Sequence, residues 1–310
     1  MSCLLPGRNR DKRSYRQSNL NDSNLEIKKY KYLKKPEWLR TQLTKAHDYH
    51  KIKGTLEQGG LNTICESGAC PNKAECWSSG TATFMILGNI CTRSCRFCNV
   101  LTGKPLPPDQ QEPEKVAQAV QSMGVKHCVI TSVDRDDLPD GGAAIWAETI
   151  RKVKHQSPET TIEALIPDFK GKVIDIQTVI DSDPEVISHN LETVRRLTRE
   201  VRVYANYNTS LGVLQYVARN SQIRTKSGIM LGLGETEEEI LQTMDDLLAV
   251  KCQVLTLGQY LQPSIKHLPV QKYVTPEDFE RLGNIARNKG FRFVESAPLV
   301  RSSYRASNHL

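Results

Sequence analysis

Three cysteines, Cys91, Cys95 and Cys98, lie close together in the stretch TFMILGNICTRSCRFCNV, Thr83 to Val100. Their spacing, C-x3-C-x2-C, presents three thiolates from one short loop. Three thiolates suit three corners of a [4Fe–4S] cube; with no fourth cysteine nearby, one iron is left open for a substrate. A structural zinc site pairs C-x2-C elements and closes with four ligands, and Asn99-Val100 supplies none. A ferredoxin would show C-x2-C-x2-C-x3-C before a proline. Packing cysteines would be scattered rather than gathered. The spacing therefore points to iron–sulfur chemistry.

A second triplet precedes it. Cys65, Cys70 and Cys76 stand in ICESGACPNKAECW with spacing C-x4-C-x5-C. Gly68, Pro71 and Asn72 mark turns, so this stretch reads as a loop wrapping something. Alone, the spacing also fits a small zinc knuckle. Beside the first triplet it gains weight, because six of the nine cysteines fall between residues 65 and 98. Cys3, Cys128 and Cys252 are dispersed, and the last two sit in apolar, strand-like contexts that suit packing.

The elements that must position these loops alternate. Thr83–Leu87 reads as a buried strand that stops at Gly88-Asn89, which puts Cys91, Cys95 and Cys98 on the loop leaving its C-terminal end. Further strands are expected at 126–131, 161–166, 185–189, 223–231 and 253–258. Helices are expected at 114–122, 142–155, 172–180, 191–199, 210–219 and 236–250. Thr236 with Glu239 reads as a capping box. Thr275-Pro276 opens another helix that Gly290 ends, and 291–295 is a last strand. Alternation of this kind implies a parallel sheet with crossover helices, here a partial (β/α)6 barrel of the TIM type. Chemistry in such barrels is built at the C-terminal ends of the strands. Asp134, Asp136, Asp137, Asp140-Gly141-Gly142, Glu163, His189, Asn190, Glu192 and Gly228–Gly232 are the polar or flexible groups at those ends. Each could also be a cap, a turn former or a core residue.

The C-x3-C-x2-C triplet, with Phe97 before its last cysteine, resembles the signature of the radical S-adenosylmethionine superfamily. There the open iron binds the amino and carboxylate groups of S-adenosylmethionine. The tandem triplets in NTICESGACPNKAECWSSGTATFMILGNICTRSCRFCNV are similar to those of the lipoyl synthases. So are TSVDRDDLPDGGA, HNLETVRRL, KSGIMLGLGETEEE, LTLGQYLQPSIKHLPVQKYVTPEDFE and PLVRSSYRA, in order, over residues 50–306. Ser67 and Ala69 depart from the commoner loop pattern without removing a ligand.

The resemblance implies an α/β partial barrel at 83–270. It is flanked by a basic extension (1–49), an auxiliary-cluster loop (50–82) and a C-terminal helix, strand and RSSY segment (271–310). It implies two [4Fe–4S] clusters. Cys91, Cys95 and Cys98 would hold the one that cleaves S-adenosylmethionine. Cys65, Cys70 and Cys76, with the oxygen of Ser303, would hold the auxiliary one. Gly141, Gly142, Asn190 and Glu192 would contact S-adenosylmethionine. The implied reaction inserts sulfur at C6 and C8 of an octanoyl group on a carrier lysine. Those carbons carry no acidic proton, so a general base cannot activate them and a radical is required. Implied partners are octanoylated lipoyl carrier domains (glycine cleavage H protein, acyltransferase subunits of 2-oxoacid dehydrogenases), a ferredoxin or flavodoxin, and an iron–sulfur carrier for cluster repair. Neither nucleic acid nor membrane is implied. A biotin synthase would place its auxiliary ligands differently, a methylthiotransferase would carry nucleic-acid-binding sequence, and a two-cluster electron carrier would not need the barrel.

The net charge of +7 is uneven. Residues 1–53 carry an excess of 9 positive charges and the remainder an excess of 2 negative ones, so the basicity belongs to the leader. Met1–Leu25 is polar without periodicity and is expected to be disordered. Asp11 and Asp22 weigh against an organelle transit peptide. Lys35–Leu39 reads as an anchor in which Trp38 and Leu39 pack on the body. Nine cysteines kept as thiols suit an intracellular protein, and the cytoplasm is expected ahead of an organelle matrix or stroma. No run of 18 apolar residues suggests a transmembrane helix.

Overall fold

The computed structural model describes residues 33–40, 54, 56, 59–68 and 70–309. The expected disorder over Met1–Leu25 and Cys3 lie outside the described residues. The strands are β1 (Thr81–Ile86), β2 (Ile90–Cys91), β3 (Leu101–Thr102), β4 (His127–Ser132), β5 (Thr161–Leu165), β6 (Val186–Ser188), β7 (Arg224–Leu231), β8 (Val254–Gln259) and β9 (Phe293–Ser296). The helices are α1 (Ile64–Ser67), α2 (Lys73–Ser78), α3 (Glu112–Met123), α4 (Ala143–Gln156), α5 (Val173–Ile180), α6 (Thr198–Val201), α7 (Tyr207–Asn220), α8 (Glu237–Ala249) and α9 (Pro276–Lys289).

Seven strands form one sheet in the order β1-β4-β5-β6-β7-β8-β9, every neighbour parallel. Parallel strands covered by helices are buried on both faces, which is why β1 and β8 are buried throughout. Among the described residues no ladder joins β1 to β9, so the sheet is a barrel left open on one side. The expected six strands are all present, and the last expected strand, β9, joins the same sheet beside β8. The caps also stand as read: Thr236 and Glu239 form the capping box, and Thr275 caps α9 with Pro276 at its first turn.

Two expectations are corrected. Residues 191–199 do not form a helix. Glu192 takes a left-handed conformation and bridges to Ile229, its N–H bonding the Gly228 carbonyl, because β7 outruns β6 and offers free backbone groups there. Only a 3-10 turn at Arg195–Leu197 and the short α6 follow. In the anchor, Leu39 is fully buried but Trp38 is 43% exposed, because the 3-10 turn Glu37–Leu39 aims only one of the two inward.

The open side of the barrel is where the two extensions meet. Asn62 bridges antiparallel to Met85 on the free edge of β1, and Thr63 Oγ1 donates to the Thr83 carbonyl at 2.7 Å. From the β8–β9 side, Gln259 N–H donates to Pro298 O at 3.1 Å. The two sides are tied where Asn72 Nδ2 donates to Leu299 O at 2.6 Å and Tyr304 Oη to Glu75 Oε1 at 3.0 Å. Inside the barrel, Lys226 Nζ donates to Glu163 Oε2 at 2.8 Å and Ser188 Oγ to Glu163 Oε1 at 2.7 Å, with no solvent exposure of either ion. Burial, the largest single influence, would push the Glu163 carboxyl up, but the Lys226 and His127 charges with the Lys226 and Ser188 hydrogen bonds together hold it below the usual range. This placement makes Glu163 a structural ion rather than a group facing substrate.

Candidate active site

The loop carrying Cys91, Cys95 and Cys98 starts from a reversed backbone. Leu87 and Gly88 both have positive φ, 68° and 92°, which turns the chain sharply off β1. Leucine in that region is strained, and its surroundings hold it. Glu112 Oε2 accepts from Leu87 N–H at 2.7 Å, and Arg135 Nη1 donates to Leu87 O at 3.2 Å. The loop is then closed by the short parallel pair β2–β3, with Gly103 N–H donating to Cys91 O. Its two ends pack on both halves of the barrel, Cys91 against the core around β1 and β4, Phe97 against the core around β7 and β8.

Arg93, inside the C-x3-C segment, fastens this loop to the rim. Its side chain is 6% exposed. Nε and Nη2 donate to the two oxygens of Asp136 at 2.7 and 2.9 Å, Nη1 and Nη2 to those of Asp168 at 2.9 and 2.8 Å, and Asp134 lies at 3.4 Å from Nη1. Two bidentate pairs on one guanidinium use its whole donor fork. Asp134 and Asp136 follow β4, and Asp168 follows β5, so one side chain joins three strand ends. Thr92 adds to the clamp, its N–H and Oγ1 both donating to Asp134 O. Two backbone N–H groups, of Arg93 and Asp134, point at Cys91 Sγ from 3.4 and 3.3 Å. Asp137 is turned away and pairs with Arg135. Sequence reading picked out Asp134 and Asp136 but missed Arg93 and Asp168; a cation between two cysteines was the available signal.

The far end of the loop is fastened too. His267 lies 3.0 Å from Cys98 O, Leu268 N–H donates to Arg96 O, and Arg96 N–H donates to Val201 O. Asn99 Nδ2 donates to Ser67 O at 2.8 Å. That bond joins the loop of Cys98 to the segment between Cys65 and Cys70, so the two triplets are neighbours.

Among the described residues the second triplet is held by different contacts. Thr63 caps α1 and accepts from Cys65 N–H at 3.1 Å, and Cys70 N–H bonds Cys65 O. The C-terminal segment lies against it. The Arg301 charge favours a thiolate at Cys70, and Tyr304 feels the charge of Cys76 as well as bonding Glu75. Ser302 and Ser303 are half-buried between those two contacts.

Gly141 and Gly142 have φ of 61° and 90° and begin α4, where Asp140 accepts from Gly142 N–H at 2.9 Å. A side chain at either would be strained: a Cβ on Gly142 would meet Leu87 Cδ1 at 2.5 Å, and one on Gly141 would meet Phe169 at 3.0 Å. This packing couples the glycine turn to the Leu87 turn. Asn190 Nδ2 donates to Glu192 Oε1 at 3.1 Å, while Asn190 Oδ1 is buried with no hydrogen-bond partner among the described residues. Room beside it exists because residue 228 is glycine, whose Cβ would lie 3.2 Å from that oxygen. A buried amide oxygen without a partner suits a ligand donor. Burial raises the Glu192 carboxyl, and Glu192 in turn opposes ionisation of Cys98, which places it on the same side as the cysteine loop. His189 is a core histidine, its ring nitrogens 2.9 Å from Ile166 O and 2.9 Å from Ser210 Oγ. A surface groove lined by Gly171, Val173, Thr209 and Tyr216 lies between α5 and α7 and holds none of the candidate residues.

Burial alone keeps the thiols of Cys70, Cys76, Cys91, Cys95 and Cys98 protonated, as it does those of the packing residues Cys128 and Cys252. Burial pushes Cys76 and Cys95 up to about 12 and Cys98 to about 11, and raises Cys70 and Cys91. Within each triplet the thiols oppose one another's ionisation. Such groups become thiolates only where a strong cationic centre displaces their protons, as iron does. Among the described residues no three Cys, His, Asp or Glu side chains close on one ion position. A cubane does not ask for that, since each thiolate takes its own iron.

Comparison with known proteins gives this site its class. Residues 85–247 match the Radical SAM superfamily. The fold agrees: the [FeFe]-hydrogenase maturase HydG from Carboxydothermus hydrogenoformans superposes with a TM-score of 0.55 at 14% identity, covering 84% of this chain and 77% of that one. The chain is a radical S-adenosylmethionine enzyme, with S-adenosylmethionine and [4Fe–4S] clusters as its cofactors. Residues 5–70 match the N-terminal domain of lipoyl synthase. Lipoyl synthase of Flavobacterium psychrophilum is 57% identical over 276 residues, 89% of this chain and 95% of that protein. The mitochondrial lipoyl synthase of Nematostella vectensis is 56% identical over 276 residues, 89% of this chain and 95% of that protein. The chain belongs to the lipoyl synthase family. Its substrates are accordingly lipoyl carriers, and no described helix is long and apolar enough to cross a membrane.

Proposed function

We propose that the chain inserts sulfur at C6 and C8 of an octanoyl group on the lysine of a lipoyl carrier domain, with its two cysteine triplets in separate roles. Cys91, Cys95 and Cys98 hold the cluster that reacts with S-adenosylmethionine. Cys65, Cys70, Cys76 and Ser303 hold the cluster that gives up sulfur. Bound together, the first cluster and S-adenosylmethionine supply a 5′-deoxyadenosyl radical able to take hydrogen from an unactivated carbon. The carbon radical must then meet sulfur within contact distance. The Asn99–Ser67 hydrogen bond at 2.8 Å supports that reading best, because it keeps the two triplets side by side.

The other residues bind and orient. Gly141 and Gly142 leave backbone amides and carbonyls accessible to the methionine end of S-adenosylmethionine. Asn190 Oδ1 accepts a donor from it, and Glu192 takes a ribose hydroxyl. Ser303 is a hard oxygen ligand that a cluster can shed more readily than thiolate. The carriers fall in the class of glycine cleavage H protein and 2-oxoacid dehydrogenase acyltransferase subunits. A ferredoxin or flavodoxin delivers electrons, an iron–sulfur carrier restores the spent cluster, and the cytoplasm is the setting.

The test is anaerobic turnover of the reconstituted protein with S-adenosylmethionine, reductant and an octanoyl-lysine peptide. Two 5′-deoxyadenosines per lipoyl group are expected. No 5′-deoxyadenosine would overturn the whole reading; 5′-deoxyadenosine without sulfur in the peptide would overturn the assignment of the second triplet.

A further inference from the structure

Residues 306–309 are held against the barrel. Ala306 and His309 are 0% and 1% exposed. Arg224, at the start of β7, donates through Nη1 to the His309 carbonyl. The buried His309 ring lies 6.3 Å from that of Phe293, at the start of β9, with neither ring nitrogen hydrogen-bonded among the described residues. The short 3-10 turn Ala306–His309 is therefore held by the barrel, on strands remote from the auxiliary cysteines in sequence.

The other end of the segment is fixed as firmly. Val300 O sits against Gly258 so closely that a Cβ there would be 2.1 Å away. Leu299 O accepts from Asn72 at 2.6 Å. Between Val300 and Ala306 the chain folds into turns, with Tyr304 N–H bonding Arg301 O at 2.9 Å. A span of so few residues with both ends fixed has little slack. Ser303 lies in that span.

We propose that Ala306–His309 is an anchor that positions Ser303 at the auxiliary cysteines, so that sulfur delivery depends on the anchor and S-adenosylmethionine cleavage does not. This rests on the reading of Cys65, Cys70, Cys76 and Ser303 as one cluster site. A single oxygen ligand binds only as well as its effective concentration allows, and that concentration falls when a tether end is released. The three cysteines also have a fastening of their own, through Asn62 and Thr63 to β1, which the tail does not supply.

The experiment compares the reconstituted holoenzyme with a variant ending at Arg305 and with Ala306→Asp, which forces a charge into a buried site. Ala306→Ser is the conservative control. Two quantities are read: lipoyl formed per 5′-deoxyadenosine released, and the Mössbauer and EPR signatures of the two clusters. The first two variants should lower the product ratio on the order of tenfold or more and alter the auxiliary signature. The EPR response of the other cluster to S-adenosylmethionine should stay at wild type, and Ala306→Ser should match wild type in both readings. A wild-type ratio with an unchanged auxiliary signature overturns the anchor. Equal loss of both clusters overturns it as well, since the tail would then serve only the fold. A Cys70→Ala protein that still makes lipoyl product would instead defeat the underlying site assignment, whatever the tail variants do.

Discussion

Among the described residues the two cysteine triplets are held by different means. The loop of Cys91, Cys95 and Cys98 is nailed to the rim by a buried guanidinium shared among three carboxylates, by a two-residue strand pair and by packing on both cores. The loop of Cys65, Cys70 and Cys76 rests on the open edge of β1 and on a C-terminal segment that must itself be held. A cofactor used repeatedly in one geometry calls for the first kind of support, because binding and electron transfer need fixed ligands. A cluster that is opened and rebuilt would gain from the second, where the proposed last ligand, Ser303, would come from a separate segment.

The sharpest way to break this comparison is to remove ligands. Cys91→Ala, Cys95→Ala or Cys98→Ala should abolish 5′-deoxyadenosine release, measured by chromatography of anaerobic reactions. A variant with wild-type release would show that this loop is not the cleavage site. Next in size, Cys65→Ala, Cys70→Ala or Cys76→Ala should keep 5′-deoxyadenosine release but yield no lipoyl group by peptide mass spectrometry. Simultaneous loss of both activities in all three would erase the division of labour.

Arg93→Gln tests the clamp. It leaves Asp168 without its cation and Asp136 with only Lys170, 3.7 Å away, and breaking a buried pair costs about 3–5 kcal/mol. Iron release to a chelator should accelerate for the cleavage cluster while the auxiliary cluster is spared; equal release from both would mean that Arg93 supports the fold at large. Ser303 tests the separate segment. Ser303→Ala should assemble both clusters and lose mainly the second sulfur insertion, whereas Ser303→Cys should hold its cluster more tightly and turn over poorly. Full lipoyl yield from Ser303→Cys would remove ligand release from the mechanism.

The smallest effect concerns pH. Burial lowers His189 to about 4, so it is neutral in the folded protein, while the unfolded chain protonates near 6.5. Between those values the unfolded state binds more protons, so this contribution is fully present above about 6.5 and is lost as pH falls toward 4. It amounts to roughly 3 kcal/mol. Urea midpoints of cluster-free protein should fall from pH 7 to pH 5 and the fall should shrink in His189→Gln. An unchanged slope in that variant would place the titration elsewhere. Because His189 bonds Ser210, which also accepts from Arg202 near the Cys91–Cys98 loop, the loss should loosen that side of the barrel first.

Much of this was legible before any coordinates. Residue pattern located the barrel strands within a residue or two, since strands buried on both faces are mostly apolar or β-branched and are bounded by turn formers, although β7 carries Lys226 and Ser227 buried within it. Cysteine spacing named the chemistry, because only certain clusters accept three thiolates at C-x3-C-x2-C. The caps at Thr236 and Thr275 were readable because a cap is satisfied by residues three positions away. All of these are local relations, written within one turn or one strand.

Only the tertiary structure decided the rest, and each case is a choice of distant partner. Residues 191–199 carry a helical pattern, yet Glu192 gives its backbone to β7 because free ladder groups are there to take it. Arg93 could have been a solvated surface charge; its partners, 43 and 75 positions on, are set by where β4 and β5 end. Asn99 meets Ser67, and His309 meets β7 and β9, only because the open barrel brings its edges and its last turn together. Sequence alone specified which groups could bind iron and that a parallel barrel would carry them. How each loop is held depended on packing between residues far apart in the chain, which no local pattern encodes.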